Sequence, residues 1–238
     1  MNISPGHWHV GTGAIGIIDE VTEARKVVSQ VRKLLTEAGI DVRLVMDDTS
    51  TNQRDNLQYL IQEHHKKQQL NVSVHFNAVK EATNSSIGTE VLYKNDHMKQ
   101  LALKISDVIS NVSGLNNRGA KKRVDLAFLN ALQDAILIEV CFVNSELDVA
   151  LYKQHFHAIC RAIAVELQNY CKPQLAISSP ALLAKVEQIL LSESMMRAAI
   201  EKGVHEDVFH RSWLARFEQK QLTPIDFLAL CTLLATVK

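Results

Sequence analysis

Residues 134–140 read Asp-Ala-Ile-Leu-Ile-Glu-Val (DAILIEV), a run so nearly apolar that it predicts a strand buried on both faces. Strands of that kind belong to parallel sheets covered by helices, so this short stretch points to a layered α/β domain. Outward from it, the first 170 residues alternate short apolar runs with helical patterns. Val27, Val28, Val31, Leu34 and Leu35 recur at helical spacing, and Gly39 stops that helix. Residues 41–46 (DVRLVM), 70–76 (LNVSVHF) and 88–93 (GTEVLY) read as strands, and residues 54–67, 98–112 and 147–170 as helices. The character changes after Tyr170. The segment CKPQLAISSP (171–180) holds two of the four prolines and reads as a linker. Beyond it only helical patterns follow, over 180–202, 207–219 and 223–237, the last opened by a capping sequence Thr223-Pro224-Ile225-Asp226. Two domains are therefore expected, residues 1–172 and an all-α domain over 180–238.

The chain has 238 residues, with 26 Lys+Arg against 26 Asp+Glu, and each expected domain is neutral by itself. That balance argues against a nucleic-acid binder, whose affinity rests on concentrated positive charge. With 47% apolar and 22% charged residues the chain is globular rather than disordered. No run of 18 apolar residues occurs, so no transmembrane segment is expected. MNISPGHWHV has neither a basic nor an apolar leader region, which reads as synthesis in the cytoplasm without a signal peptide. Cys141, Cys160, Cys171 and Cys231 form no C-x-x-C pair and read as reduced, packed thiols.

Gly11-Thr12-Gly13-Ala14-Ile15-Gly16 fits the G-x-G-x-x-G fingerprint of dinucleotide binding. The preceding Pro5-Gly6-His7-Trp8-His9 makes a poor central strand, however, and the acidic residues at the end of the second expected strand, Asp47 and Asp48, come late for a ribose contact. A different chemistry uses the same region. His7 follows a short first strand, Glu20 opens the first long helix, and His75 ends LNVSVH. Two imidazoles and a carboxylate with water as fourth ligand make a catalytic zinc set, though this spacing alone decides nothing. His9 and Glu23 are rivals for the first two places. Glu139 is a second anomaly, because a charge inside an apolar strand costs several kcal/mol unless something compensates it. His64, His65, His97, His155, His157, His205 and His210 read as surface or helix-face residues.

The blocks SPGH, Glu20, SVHFNA around His75, NRGAK at 117–121 and AILIEVCFVNSELD resemble, in order, the zinc-dependent N-acetylmuramoyl-L-alanine amidases of peptidoglycan, especially the phage endolysin branch. The resemblance spans roughly residues 1–170. It implies a twisted, mostly parallel sheet of about six strands flanked by helices, and the small all-α domain read from the helical patterns follows it. It implies one zinc ion per chain on His7, Glu20 and His75, with Glu139 as the catalytic glutamate and Asn77 and Arg118 against the substrate. The implied reaction cuts the amide between the lactyl group of N-acetylmuramic acid and L-alanine, with zinc-activated water and a glutamate base. The implied partner is bacterial peptidoglycan, which a chain without a leader region is expected to reach through a separate pore-forming protein. The apolar residues of the C-terminal helices lead to a separate expectation, that they serve wall binding or a homo-oligomer. Ser4 stands where the family has Asp, and Cys141 where it has Gly. Two other readings remain at this point: an inactive wall-binding or regulatory protein on the same scaffold, and a dinucleotide-binding oxidoreductase.

Overall fold

A computed structural model describes residues 1–66, 69–171, 185, 188–190 and 192–236. The chain divides into two compact units, Met1–Gln174 and Leu175–Lys238. The first unit is built on one six-stranded sheet in the order β2-β1-β3-β6-β4-β5. Its strands are β1 (Asn2–Pro5), β2 (Arg43–Leu44), β3 (Asn71–Asn77), β4 (Thr89–Tyr93), β5 (Asn117–Lys122) and β6 (Ala135–Phe142). All neighbours run parallel except β4 and β6, which are antiparallel. The DAILIEV run becomes β6 at the middle of the sheet, where both faces must be covered, and Ile136, Ile138 and Val140 are fully buried.

The helices of this unit are α1 (Glu20–Glu37), α2 (Gln53–His65), α3 (Lys99–Ser113), α4 (Ala127–Ala131) and α5 (Glu146–Cys171). Helix α1 lays Val27, Val28, Val31 and Leu35 into the main core beside α5, which contributes Ile159, Ile163 and Leu167. A second cluster of Leu92, Phe128, Leu129, Leu132 and Leu137 includes α4 residues and is flanked by Leu57 and Ile61 of α2. Burial of this extent, at about 25 cal/mol per Å² of apolar surface, is what fixes the strand ends to which the polar site is attached. Among the described residues no helix is long and apolar enough to cross a membrane. All four cysteines are free thiols, with Cys141 and Cys160 buried.

Two sequence expectations differ from the structure. The strand expected over 41–46 shrinks to two residues, because Asp47 turns the chain by accepting the backbone N–H groups of Thr49 and Ser50. His64 is not a surface residue: it is 0% exposed, with Nδ1 3.0 Å from Asn71 Oδ1 and its ring edge-on to Phe128. The segment NRGAK, which no sequence pattern assigns to an element, forms the edge strand β5.

The second unit holds α6 (Glu193–His205), α7 (Ser212–Glu218) and α8 (Pro224–Thr236) around Ile200, Phe209, Phe217, Phe227 and Leu230. The single helix expected over 180–202 does not run unbroken. Ser192 is extended and caps α6 through its hydroxyl to Met195 N. The first part of that helix and the linker beyond Cys171 lie largely outside the described residues. Thr223 and Asp226 cap each other at the start of α8, through hydroxyl, carboxylate and backbone N–H.

Candidate metal centre

The sheet order turns back at β1: β2 lies on one side of it and β3, which follows β2 in sequence, lies on the other. Crevices outside the carboxyl ends of strands at such a switch are where α/β sheets bind ligands. His7 leaves the end of β1 in a left-handed conformation, with φ 61°, and His75 stands near the end of the adjacent β3. Glu20 starts α1, whose N-cap Asp19 accepts from Thr22 N. One ligating atom from each of His7, Glu20 and His75 lies within 4.8 Å of the others.

The carboxylate of Glu20 sits between the two imidazoles, 3.4 Å from His7 Nε2 and 2.9 Å from His75 Nδ1. Backbone N–H groups fix it from both sides, Ala14 N on Oε2 at 2.6 Å and Phe76 N on Oε1 at 3.1 Å. The other nitrogen of His75, Nε2, lies 3.0 Å from Ser73 Oγ, which orients the ring. Two glycines permit this closeness. A Cβ on Gly6 would overlap the His75 ring, and one on Gly13 would lie 2.6 Å from Glu20 Oε2. Part of the G-x-G-x-x-G pattern is thus spent on close approach to a carboxylate rather than on cradling phosphate.

The electrostatics agree with a cation site. Burial alone would raise the Glu20 pKa, but its contacts with His7 and His75 hold it well below the usual carboxylate range. Burial pushes His75 down, and the Glu20 hydrogen bond and charge more than reverse this, leaving it above the ordinary value. Tetrahedral zinc with ligands at about 2.0–2.2 Å places ligand atoms about 3.3–3.6 Å apart. The residues present therefore fit a zinc ion in donor type and in spacing.

His9 is exposed and stands outside the cluster. Glu23 is committed elsewhere, accepting Tyr152 OH at 2.9 Å and Lys26 Nζ at 2.7 Å. Trp8 is buried, its carbonyl held by Arg25. Ser4, in the place of the family's Asp, is buried with no hydrogen-bond partner for its hydroxyl among the described residues. Cys141 is buried and its thiol pushed well above its ordinary pKa by burial, which leaves no thiolate for chemistry.

Beside this cluster, Glu139 of β6 is paired in register with His75 of β3, and Glu90 of β4 with Glu139 from the other side. Residues in register on neighbouring strands face the same way, so the carboxylates of Glu139 and Glu90 share the face of His75. Glu139 Oε2 is buried without a hydrogen-bond partner among the described residues. Burial pushes the Glu139 pKa up to about 7 despite the nearby His75 charge. Glu90 accepts from Arg118 Nε at 2.8 Å and from Asn77 Nδ2 at 3.3 Å, so Asn77 and Arg118 adjoin one carboxylate. Sequence reasoning passed over Glu90 and Ser73. For Glu90 the signal is present in GTEVLY, a glutamate inside an apolar strand, as in AILIEVCF.

Solved structures share the fold of most of this chain. An endolysin catalytic domain targeting Clostridia Difficile superposes with a TM-score of 0.63 at 24% identity, over 71% of this chain and 96% of that one. The catalytic domain of CwlV, an N-acetylmuramoyl-L-alanine amidase from Bacillus (Paenibacillus) polymyxa var. colistinus, gives 0.59 at 23% identity, over 71% and 96%. An uncharacterized 38.4 kDa protein of Clostridium perfringens is 32% identical over 155 residues, which are 64% of this chain but 45% of that protein. The chain thus matches less than half the length of that relative. The model of the N-acetylmuramoyl-L-alanine amidase family matches residues 2–169, and the chain belongs to that family.

Proposed function

We propose that the protein hydrolyses the amide joining N-acetylmuramic acid to L-alanine in peptidoglycan, using one zinc ion on His7, Glu20 and His75. The observation that carries this reading is Glu139: a half-buried residue whose Oε2 is buried without a hydrogen-bond partner among the described residues, in register with a residue of the cation site. A zinc ion bound there supplies Lewis acidity, polarising a carbonyl oxygen and making water a stronger acid.

The protein's own residues divide the remaining work. Glu20 brings the negative charge that keeps the two imidazoles ready for a cation. Glu139 accepts the proton of the attacking water at Oε2 and returns it to the departing amine of L-alanine, a role suited to a carboxyl whose pKa lies near neutrality. Arg118 and Asn77 border the same face and contact the substrate. Their shared partner Glu90 keeps both side chains at that edge.

Zinc analysis of the purified chain, together with assay of L-alanine-headed peptides released from isolated peptidoglycan, tests this reading. One zinc per chain and release of such peptides are expected. Intact peptidoglycan after treatment with zinc-loaded protein would overturn it.

A further inference from the structure

Glu90 is the residue of the site whose place no reaction step explains. It is buried, it belongs to a strand that otherwise contributes core side chains, and it lies directly across from Glu139. A buried carboxylate beside another carboxylate is unfavourable unless it is neutralised and hydrogen-bonded. Both of its oxygens are used: Oε2 accepts Arg118 Nε and Oε1 accepts Asn77 Nδ2. Arg118 is held a second way, with its guanidinium 5.2 Å from the centre of the Phe142 ring. Two contacts thereby hold the guanidinium while its side chain remains 39% exposed. The bond to Glu90 consumes only Nε, and the two terminal nitrogens bond to no described residue. A guanidinium fork left with both terminal nitrogens open matches the two oxygens of a carboxylate better than a single carbonyl.

We propose that Glu90 is a positioning residue that holds Arg118 and Asn77 at the substrate edge, so that the terminal nitrogens of Arg118 receive a carboxylate of the peptide continuing beyond L-alanine. The proposal rests on the amidase reading above and narrows its substrate to peptides that carry a free carboxylate near the cleaved amide. Asn77, held by the same carboxylate, borders the same edge between Glu90 and the cation site.

The test compares two soluble muramoyl peptides that differ only in the residue after L-alanine, with a free carboxylate in one and a carboxamide in the other. The zinc-loaded full chain should favour the carboxylate by about 10–100-fold in KM, the range of a charge-assisted pair, with similar kcat. Glu90→Gln should raise KM for the carboxylate peptide by about tenfold and erase the preference, at unchanged zinc content and near-unchanged kcat. Arg118→Ala should do the same, and the double variant should be no worse than Arg118→Ala alone, because the first acts through the second. Arg118→Lys, an exposed change that keeps the charge but loses Nε and the fork, should also lose the preference. Calorimetric binding of both peptides to the metal-free full chain reads the same preference independently of turnover. Absence of cleavage with retained, Glu90-dependent binding preference would sink the amidase reading and keep this one. Equal KM and equal binding in wild type and Glu90→Gln, or a preference kept by Arg118→Lys, would overturn it.

Discussion

Strands β1 and β3 each end near a buried or half-buried histidine, and the two ends of the pair make opposite use of it. At the carboxyl end, His75 meets the carboxylate of Glu20, and His7 lies on the other oxygen. At the amino end, His64 meets the amide of Asn71, whose Oδ1 also accepts Asn2 Nδ2 at 2.9 Å. The carboxylate holds the His75 pKa above its ordinary value against the effect of burial. Burial takes His64 down to about 4, only partly offset by the Asn71 bond. Burial is common to both, so the partner decides. An imidazole beside a buried carboxylate is prepared for a cation, whether proton or metal, whereas one beside an amide is kept neutral. The first pair sits at the switch point of the sheet, and there, among the described residues, a third candidate ligand converges.

The largest effect that could break this contrast is loss of the ion. His75→Ala, or treatment with a chelator, should reduce zinc from one per chain to a trace and abolish hydrolysis. It should also lower the melting temperature, since an ion present at 100–1,000 times its Kd contributes about 3–4 kcal/mol. Removal of the amide-paired His64 should leave zinc content unchanged, and so should His9→Ala. Zinc retained by His75→Ala would dissolve the distinction between the two strand ends. Next in size is Glu139→Gln. The amide keeps the shape but accepts no proton, so turnover should fall by about 10²–10⁴ with zinc and fold intact. Near-normal release of L-alanine-headed peptides by that variant would remove Glu139 from the reaction.

Gly6→Ala sharpens the comparison at a smaller scale. The new methyl overlaps the His75 ring, which must turn away from Glu20 and from its Ser73 contact. A loss of about 10–100-fold in zinc affinity is expected, the cost typical of disturbing the groups that orient a ligand. Metal competition with a fluorescent chelator measures it. An unchanged affinity would mean that the close approach of strand end and ring has no part in holding the ion.

What the sequence made legible follows the physics of each segment. Strands β3 and β6 were readable because a strand covered on both faces must be apolar throughout, and the same uniformity made Glu139 conspicuous. Strand β5 was not readable. NRGAKK has no alternation, since an edge strand exposed at both ends is held by its pairing to β4 and not by its side chains. No local pattern therefore fixes the place of Arg118, and only the pairing brings it to Glu90. In sequence the choice of Glu20 over Glu23 rests on register with Val27, Val31 and Leu34, whereas the pairing of Glu23 with Tyr152 is contributed by a helix residue 129 positions away. His64 reads as a surface or helix-face residue because its helix is polar over most of its surface, and nothing local announces the one turn that is buried against Asn71 and Phe128.

The smallest effect expected concerns stability alone and tests the amino end of the pair. His64 Nδ1 donates to Asn71 Oδ1, and Nε2 is buried with no partner among the described residues. A proton added at Nε2 would therefore be an unpaired buried charge. The folded-state pKa of about 4 lies below the ordinary 6.5, so between these values the unfolded chain binds the proton and the folded chain does not. Stability from this residue is complete above pH 6.5 and is lost as pH falls from 6.5 towards 4, to a total of about 3 kcal/mol if the whole shift is realised. Other groups titrate in the same range, so the quantity to measure is a difference of differences. Urea unfolding of wild type and of His64→Gln, each at pH 7.5 and pH 4.5, isolates it. Gln keeps a donor for Asn71 but carries no titrating site, so its loss of stability on acidification should be smaller than that of wild type by about 2–3 kcal/mol. Equal losses in the two proteins would mean that His64 is charged in the folded state, and that an amide partner does not distinguish it from His75.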